Sequence, residues 1–252
     1  MDNGKIEQLQ SKLNKLRLLG INLEVAVEND DIILVKVELD SSIGSLVVPE
    51  GITVAGYKGF KGCKAIKEIK LSSTVRVISP FCFMGYKSLE KVELNEGLET
   101  IEMDGFRRCF HLKEISIPDS VTKIGRRAFD FCEELRKVKL SNSLQIIERY
   151  TFLGCRKLRD ILFPDKLDCI DSGAFEGCTG LRILNLKGCT KIAESAFTNC
   201  KGLEEISVDR NRDEVTINEP RLKENGFIRV KFKDGEGKWE NGCTGKIRRK
   251  DK

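Results

Sequence analysis

A phenylalanine recurs along this chain at a fixed interval, and this regularity constrains the fold more than any other feature. Six phenylalanines follow one another at 23-residue steps, and a seventh comes 22 residues after the sixth. Three residues after each of them stands a cysteine or, once, a tyrosine, and three residues later an Ile or Leu. The first two series are Phe60, Phe83, Phe106, Phe129, Phe152, Phe175 and Phe197, and Cys63, Tyr86, Cys109, Cys132, Cys155, Cys178 and Cys200. A fixed period of this length predicts a stack of similar units rather than one globular core.

The unit at residues 112–132 shows what one repeat contains. Residues 112–117 follow the pattern L-x-x-I-x-I, and the two apolar residues at 115 and 117 are spaced as in a short strand with one buried face. Residues 118–120, Pro-Asp-Ser, predict a turn, and residues 121–124 an extended segment that runs back along the opposite side. Residues 128–132 predict a tight helical turn that places Phe129 and Cys132 inside. One coil cannot bury its own apolar face, so we predict a right-handed coil of about seven repeats whose strands pair in parallel.

The two ends of such a stack need covers. Residues 3–19 carry apolar side chains at spacings of three and four, which predicts a helix that stops at Gly20. Residues 23–27 and 32–39 alternate like strands on either side of a turn, and residues 227–240 predict a closing hairpin. We therefore predict an N-terminal helix and strand cap at 1–44, a repeat solenoid at 45–217, and a C-terminal cap with a basic tail at 218–252.

The motif L-x-x-I-x-(I/L)-P, followed by V-x-x-I-G-x-x-A-F-x-x-C, runs from about Leu46 to Val215. It resembles the BspA-like leucine-rich repeats, also called the Treponema pallidum type. The resemblance implies a leucine-rich-repeat solenoid that is mainly β with short turns. It also implies a bacterial or protozoan protein of a group often found at the cell surface, where some members act as adhesins.

The first 20 residues contain no secretory signal, because charged residues interrupt every apolar run. No stretch approaches the roughly 18 apolar residues of a membrane span. If Met1 is the native start, we expect a cytoplasmic protein whose 10 cysteines are reduced. If a leader has been removed, a cell-surface or secreted location is expected instead.

The cysteines at the repeat position predict a buried ladder of small side chains rather than a reactive site. Disulfides between adjacent coils stay open as an alternative, since parallel strands lie about 4.8 Å apart, although Tyr86 interrupts the ladder. The chain has no CxxC pair of the kind that binds zinc, so neither a metal nor a cofactor is predicted. Cys243, near the C-terminus, is the thiol expected to be most exposed. His111 is the single histidine and falls on a surface turn, so no catalytic pair with Cys109 is expected.

The outward positions of the predicted strands form columns along the stack. One column alternates in charge, and a second is polar except at one residue. Ile183 interrupts the first and Leu162 the second, while the column at the strand entrance turns basic through Arg136, Arg159 and Arg182. The two columns read Glu68, Lys91, Glu114, Lys137, Asp160, Ile183, Glu205 and Lys70, Glu93, Ser116, Lys139, Leu162, Asn185, Ser207. An apolar centre with an arginine rim is typical of an interface. The strand-face patch is therefore predicted to comprise Arg136, Arg159, Leu162, Arg182, Ile183 and Asn185.

These features favour a non-enzymatic, monomeric scaffold that binds an acidic or mixed protein surface through a concave strand face. One alternative is a cell-surface adhesin that binds host matrix or carbohydrate. Another is weak nucleic-acid binding through the pairs Arg107-Arg108 and Arg126-Arg127 and the basic tail. The strand columns contain no exposed aromatic residue for stacking on bases, which disfavours nucleic acid on that face.

Overall fold

A computed structural model gives the structure, which describes residues 3–57, 59–60, 63, 65–193, 195–217, 228–239 and 248–249. Within these residues the chain winds into stacked coils, as the 23-residue period predicts. Each coil gives a three-residue strand to one side of the stack and a two-residue strand to the other. No helix among the described residues is long and apolar enough to cross a membrane.

The N-terminal cap has the predicted form. Helix α1 (Asn3–Leu18) buries Leu9 and Leu13 against the first coils, and the chain leaves it through Gly20 at φ +76°. Strands β1 (Ile21–Glu28) and β2 (Asp31–Leu39) then form an antiparallel hairpin. The two residues between them, Asn29 and Asp30, both have positive φ, which matches the right-handed twist of a two-residue hairpin.

The three-residue strands make up the strand face, and each pairs in parallel with its neighbour except at two interruptions. They are β3 (Ser45–Val47), β5 (Glu68–Lys70), β7 (Lys91–Glu93), β9 (Glu114–Ser116), β11 (Lys137–Lys139), β13 (Asp160–Leu162), β15 (Ile183–Asn185) and β17 (Glu205–Ser207), followed by the longer β19 (Ile228–Phe232). The register confirms the predicted columns, since Lys137 lies between Glu114 and Asp160. The interruptions fall between β7 and β9 and between β13 and β15.

The two-residue strands form the opposite side of the stack. They are β4 (Val54–Ala55), β6 (Val77–Ile78), β8 (Thr100–Ile101), β10 (Lys123–Ile124), β12 (Ile146–Ile147), β14 (Cys169–Ile170), β16 (Lys191–Ile192) and β18 (Thr216–Ile217). This sheet continues from the N-terminal hairpin as far as β10 and begins again at β12. Because Ile124, Ile147 and their equivalents point inward here, the core lies between the two sides.

The predicted helical turn takes the form of consecutive β-turns with a third hydrogen-bonded ladder, which we call the turn side. In one coil the backbone N–H groups of Arg127, Phe129 and Phe131 donate to carbonyl groups of the next coil at 3.1, 2.9 and 2.7 Å. Two positions of the turn side adopt positive φ in successive coils. These columns are Phe81, Asp104, Arg127, Tyr150 and Gly173, and Gly85, Arg108, Phe131, Gly154, Gly177 and Asn199.

Substituting Gly173 by alanine is expected to lower the free energy of unfolding by about 1–3 kcal/mol, because alanine at positive φ is strained and its Cβ would overlap the Tyr150 ring. Gly177 is the matched control, since it also has positive φ (+73°) but a Cβ there would meet nothing closer than 3.8 Å. Urea unfolding of Gly173→Ala and Gly177→Ala measures the difference. Equal losses of stability would show that the ring contact contributes nothing.

The core consists of a phenylalanine column with a cysteine column beside it. All seven repeat phenylalanines are fully buried, and the rings of Phe106 and Phe129 stack with centroids 5.3 Å apart and planes 4° from parallel. Each ladder thiol donates to a carbonyl group of the preceding coil, as Cys132 Sγ does to Phe106 O at 3.2 Å. Cysteine therefore fits this position because it is small and its S–H group satisfies a buried acceptor.

Strand β19 forms the predicted hairpin with β20 (Gly235–Trp239), to which β21 (Arg248–Arg249) adds a third strand. The hairpin continues the strand face, because β19 pairs in parallel with β17. Residues 218–227, 240–247 and 250–252, and with them Cys243 and the rest of the basic tail, lie outside the described residues. The division of the chain at residues 44/45 and 217/218 stays a prediction.

Candidate functional site

The two aliphatic residues predicted to centre the strand-face patch are exposed on neighbouring coils. Leu162 ends strand β13 and is 68% exposed, and Ile183 begins strand β15 and is 64% exposed. Asn185 is also exposed, and it lies opposite Ser207 of β17. Val47 is a further exposed aliphatic residue on this face, and the predicted columns did not include it. It lies on β3, opposite Lys70, and is 59% exposed.

The strand sheet is interrupted at the patch. Among the described residues, no ladder pairing joins β13 to β15, although each pairs with its other neighbour. Phe163 gives a physical reason, because it occupies the position filled by the smaller, buried Ile117 and Leu140 in the preceding coils. Its ring packs edge-on against Phe175 at 5.8 Å and remains partly exposed, as does Ile161.

This interruption enlarges the apolar centre beyond the sequence prediction. Ile161 stands in the inward column whose other strand members, such as Val138 and Leu184, are buried. The centre of the patch therefore comprises Ile161, Leu162, Phe163 and Ile183. A signal for it exists in the sequence, since Phe163 is the one aromatic residue at its repeat position, but only the packing shows that the neighbouring strands separate.

The arginine rim is partly engaged in local contacts. Arg136 forms an ion pair with Glu134 at 3.3 Å, and Arg159 lies 3.5 Å from Asp160, with both arginine side chains exposed. Such exposed pairs contribute little and leave the guanidinium groups available to a partner. Arg182 instead folds back, and its Nη1 donates to the carbonyl groups of Thr179 and Leu181, both at 2.9 Å. The basic contribution of the rim therefore comes mainly from the side of Arg136 and Arg159.

A charged groove lies on the strand face beside the patch, and the sequence pattern does not predict it. It spans strands β7, β9 and β11, has a volume of about 520 Å³, and is lined by Glu93, Glu114, Lys137 and Lys139 among others. Lys139 is directly opposite Leu162 in the β11–β13 register, so the groove ends at the apolar patch. The alternating column of charges was the available signal, because it marks the strands that line the groove.

The cysteines of the ladder are buried in the core, whereas His111 lies on the surface. Burial raises the pKa of Cys200 to about 12 and holds the pKa of Cys132 and Cys155 well above its usual range. His111 is exposed and its Nδ1 contacts the carbonyl oxygen of Lys87, whereas Cys109 is fully buried. Among the described residues, no group of three or more His, Cys, Asp or Glu side chains could hold a metal ion.

In the folded protein we expect the ladder thiols to resist a thiol reagent at a pH of about 8.5, the ordinary pKa of a thiol. Burial keeps the reagent out, and the raised pKa keeps these thiols protonated and unreactive. Nine cysteines are described, all of them free, and Cys169 is the one that is partly exposed. We expect Cys169 to react first in a Cys243→Ser background, and the others only in concentrated denaturant. Rapid labelling of several thiols in the folded protein would contradict the buried ladder.

Comparison with known proteins places the chain. The model of the BspA type leucine-rich repeat region, in 6 copies, matches residues 40–135 and 99–219. A leucine-rich-repeat protein from T. pallidum has a similar structure, with 27% sequence identity over 74% of this chain and 81% of that one and a TM-score of 0.55. A leucine-rich-repeat protein from Bacteroides ovatus matches at 23% identity over 84% of this chain and 70% of that one, with a TM-score of 0.47. No curated protein matches the sequence. The family model covers most of the residues between the two caps, so the chain belongs to the BspA-type leucine-rich-repeat family.

Proposed function

We propose that this protein is a non-enzymatic binding module whose strand face docks a protein partner at the strand-face patch. Leucine-rich repeats of this family are generally protein-interaction scaffolds. The observation that carries the proposal is the coincidence of the exposed Leu162 and Ile183 with an interruption of the sheet. Single exposed aliphatic residues are ordinary on a protein surface, but four apolar side chains gathered over a gap between strands are not.

The patch has the composition of an interface centre. Apolar residues in the middle with arginines around them favour association, because the apolar area leaves water and the arginines donate several hydrogen bonds each. Leu162 and Ile183 supply the apolar contact, and Lys139 borders it at the end of the charged groove. Arg136 and Arg159 lie directly before strands β11 and β13. The matching partner surface presents a large apolar side chain surrounded by carboxylate groups.

The test is affinity capture of partners from a lysate of the source organism with three tagged forms of the full chain. The first is the parent and the second is Leu162→Ser/Ile183→Ser. The third, Val47→Ser/Ile146→Ser, is the matched control, because it also removes two exposed aliphatic residues, which are 59% and 49% exposed and lie outside the patch. Circular dichroism confirms that all three forms are folded.

We expect a protein that the parent and the control retain and that the patch variant does not, with an affinity at least tenfold lower for the variant when the purified pair is measured. Restoring Leu162 alone should recover part of that affinity. A partner that all three forms bind equally would contradict the assignment of the site. A partner that only the control fails to bind would place the docking surface elsewhere on the solenoid.

A further inference from the structure

Exposed basic side chains on this protein commonly pair with carboxylates of the neighbouring coil. Lys113 contacts Glu90 and Lys157 contacts Glu134, both at 2.5 Å, and Lys123 contacts Glu102 at 3.2 Å. Each of these pairs joins one coil to the coil before it. Arginines that do not follow this pattern can bind an anion from outside the chain without breaking an ion pair within it.

The turn side of three successive coils departs from the pattern. Within the described part of the chain, Arg108, Arg126, Arg127 and Arg156 form no ion pair, and Arg149 has only a loose one with Asp171 at 3.7 Å. We call these five residues the arginine band. Arg126 and Arg149 are exposed at the same position of adjacent coils, and Arg126 Nε donates only to the thioether sulfur of Met103.

Two partly exposed aromatic rings lie among these arginines. Phe131 and Tyr150 both sit at positive φ, and each ring rests on a glycine of the next coil. A Cβ at Gly154 would come within 2.9 Å of Phe131 Cδ1, and one at Gly173 would overlap the Tyr150 ring. The glycines thus let the rings lie against the backbone. The guanidinium carbon of Arg127 is 5.3 Å from the centre of the Tyr150 ring.

The positive charge of the band is only partly offset from below. Asp104 and Asp130 are buried under this surface, and Arg107, which pairs with both at 3.4 and 2.8 Å, balances one of their two negative charges. Arg127 also interacts electrostatically with Asp130. The following coil carries Asp171 and Glu176 on this side. The basic surface therefore lies in the coils at residues 101–158, where the arginines of the band alternate with the two aromatic rings.

We infer that the arginine band binds single-stranded nucleic acid, with phosphates on Arg108, Arg126 and Arg149 and bases stacked on Phe131 and on the Arg127 guanidinium that lies over the Tyr150 ring. Basic grooves with interleaved aromatic rings recognise single strands in this way, because every base offers a face for stacking. The bases of a duplex are stacked on one another and are not available to the rings. An acidic peptide could bind the arginines, but its carboxylate groups do not stack on aromatic rings. The outward columns of the strand face contain no aromatic residue. The turn side is a different surface of the coils, and it carries the two rings.

The test measures binding of a fluorescently labelled oligo(dT) of about 20 nucleotides, longer than the sites of known single-strand modules, by anisotropy across a salt series. Arg126→Gln/Arg149→Gln removes two charges from the band. Arg136→Gln/Arg159→Gln is the matched control, because it removes two exposed arginines from the strand face and leaves the net charge the same as in the band variant. Phe131→Asn/Tyr150→Asn removes the rings with a residue that tolerates positive φ.

We expect the band variant to bind at least tenfold more weakly and to lower the salt slope by about 1.4, at roughly 0.7 for each phosphate that is no longer neutralised. The ring variant should bind about tenfold more weakly with its salt slope unchanged, and the control should bind like the parent. No binding by the parent at low salt, or equal weakening in band variant and control, would overturn the inference. The inference would also be overturned if heparin bound as tightly as oligo(dT) and the ring variant bound as tightly as the parent. That result would indicate that the band binds sulfated polymers. The strand-face patch is untouched by the band variant, so this result is independent of the proposed protein partner.

Discussion

Phe129→Ala is expected to lower the free energy of unfolding by about 3–5 kcal/mol, the range found for removing a buried aromatic side chain. Phe129 is fully buried in the middle of the ring column, where it stacks on Phe106 and Phe152 at 5.3 and 5.4 Å. The neighbouring coils cannot readily close the cavity, because hydrogen bonds on the turn side and the β9–β11 pairing on the strand face fix their spacing. Urea unfolding followed by circular dichroism measures the change.

Leu162→Ala is the control for this experiment, since it also shortens an apolar side chain but at a position that is 68% exposed. Substitutions at such surface sites are usually within about 0.5 kcal/mol of the parent. A decrease below about 1 kcal/mol for Phe129→Ala would contradict a rigid ring column and would indicate that the coils can collapse around the missing side chain.

The protein is expected to lose stability steeply as pH rises above about 8.5, the ordinary thiol pKa. Burial raises the pKa of the Cys132, Cys155 and Cys178 thiols well above that value. Above about pH 8.5 the unfolded chain therefore releases protons that the folded chain retains, so the free energy of unfolding falls as pH rises. Each buried thiol lowers the free energy of unfolding by roughly 1.4 kcal/mol for each pH unit above that value. The ladder thiols together therefore lower it by several kcal/mol.

Cys132→Ala separates this effect from other titrations at alkaline pH. The variant is less stable near neutral pH, because it lacks a buried side chain and the hydrogen bond to Phe106 O. Its stability should nevertheless fall more gradually with pH, by about 1.4 kcal/mol per unit less than the parent. Urea midpoints measured from neutral to alkaline pH give both slopes. Parallel slopes would show that the folded thiol titrates like a free one.

The repeat pattern predicted most of the architecture because it records which residues must be buried together. The 23-residue phenylalanine period requires stacked coils, and the alternation within each coil sets which strand positions face inward. For this reason the register confirms the predicted columns wherever neighbouring strands of the strand face pair, as with Lys137 between Glu114 and Asp160. The caps were also predictable, since helix α1 and the closing hairpin follow from local patterns.

The turn side could not be predicted from the pattern. Positive φ at Arg127, Phe131 and Tyr150 runs against the usual preference of those residue types, and it is maintained by hydrogen bonds to the next coil. The same holds for the rings of Phe131 and Tyr150, whose positions depend on glycines one coil away. These are contacts between coils, and no single repeat encodes them.

The candidate site divides in the same way. The sequence alone identified Leu162 and Ile183 as outward-facing, because a period of two leaves no other face for them. Only the tertiary structure shows that the sheet parts between their strands, where Phe163 replaces the smaller side chains of neighbouring coils, and that Arg182 folds back on its own turn. The repeat therefore determined which residues are buried, and the packing of unequal neighbours determined where the surface opens, because a gap depends on two coils at once.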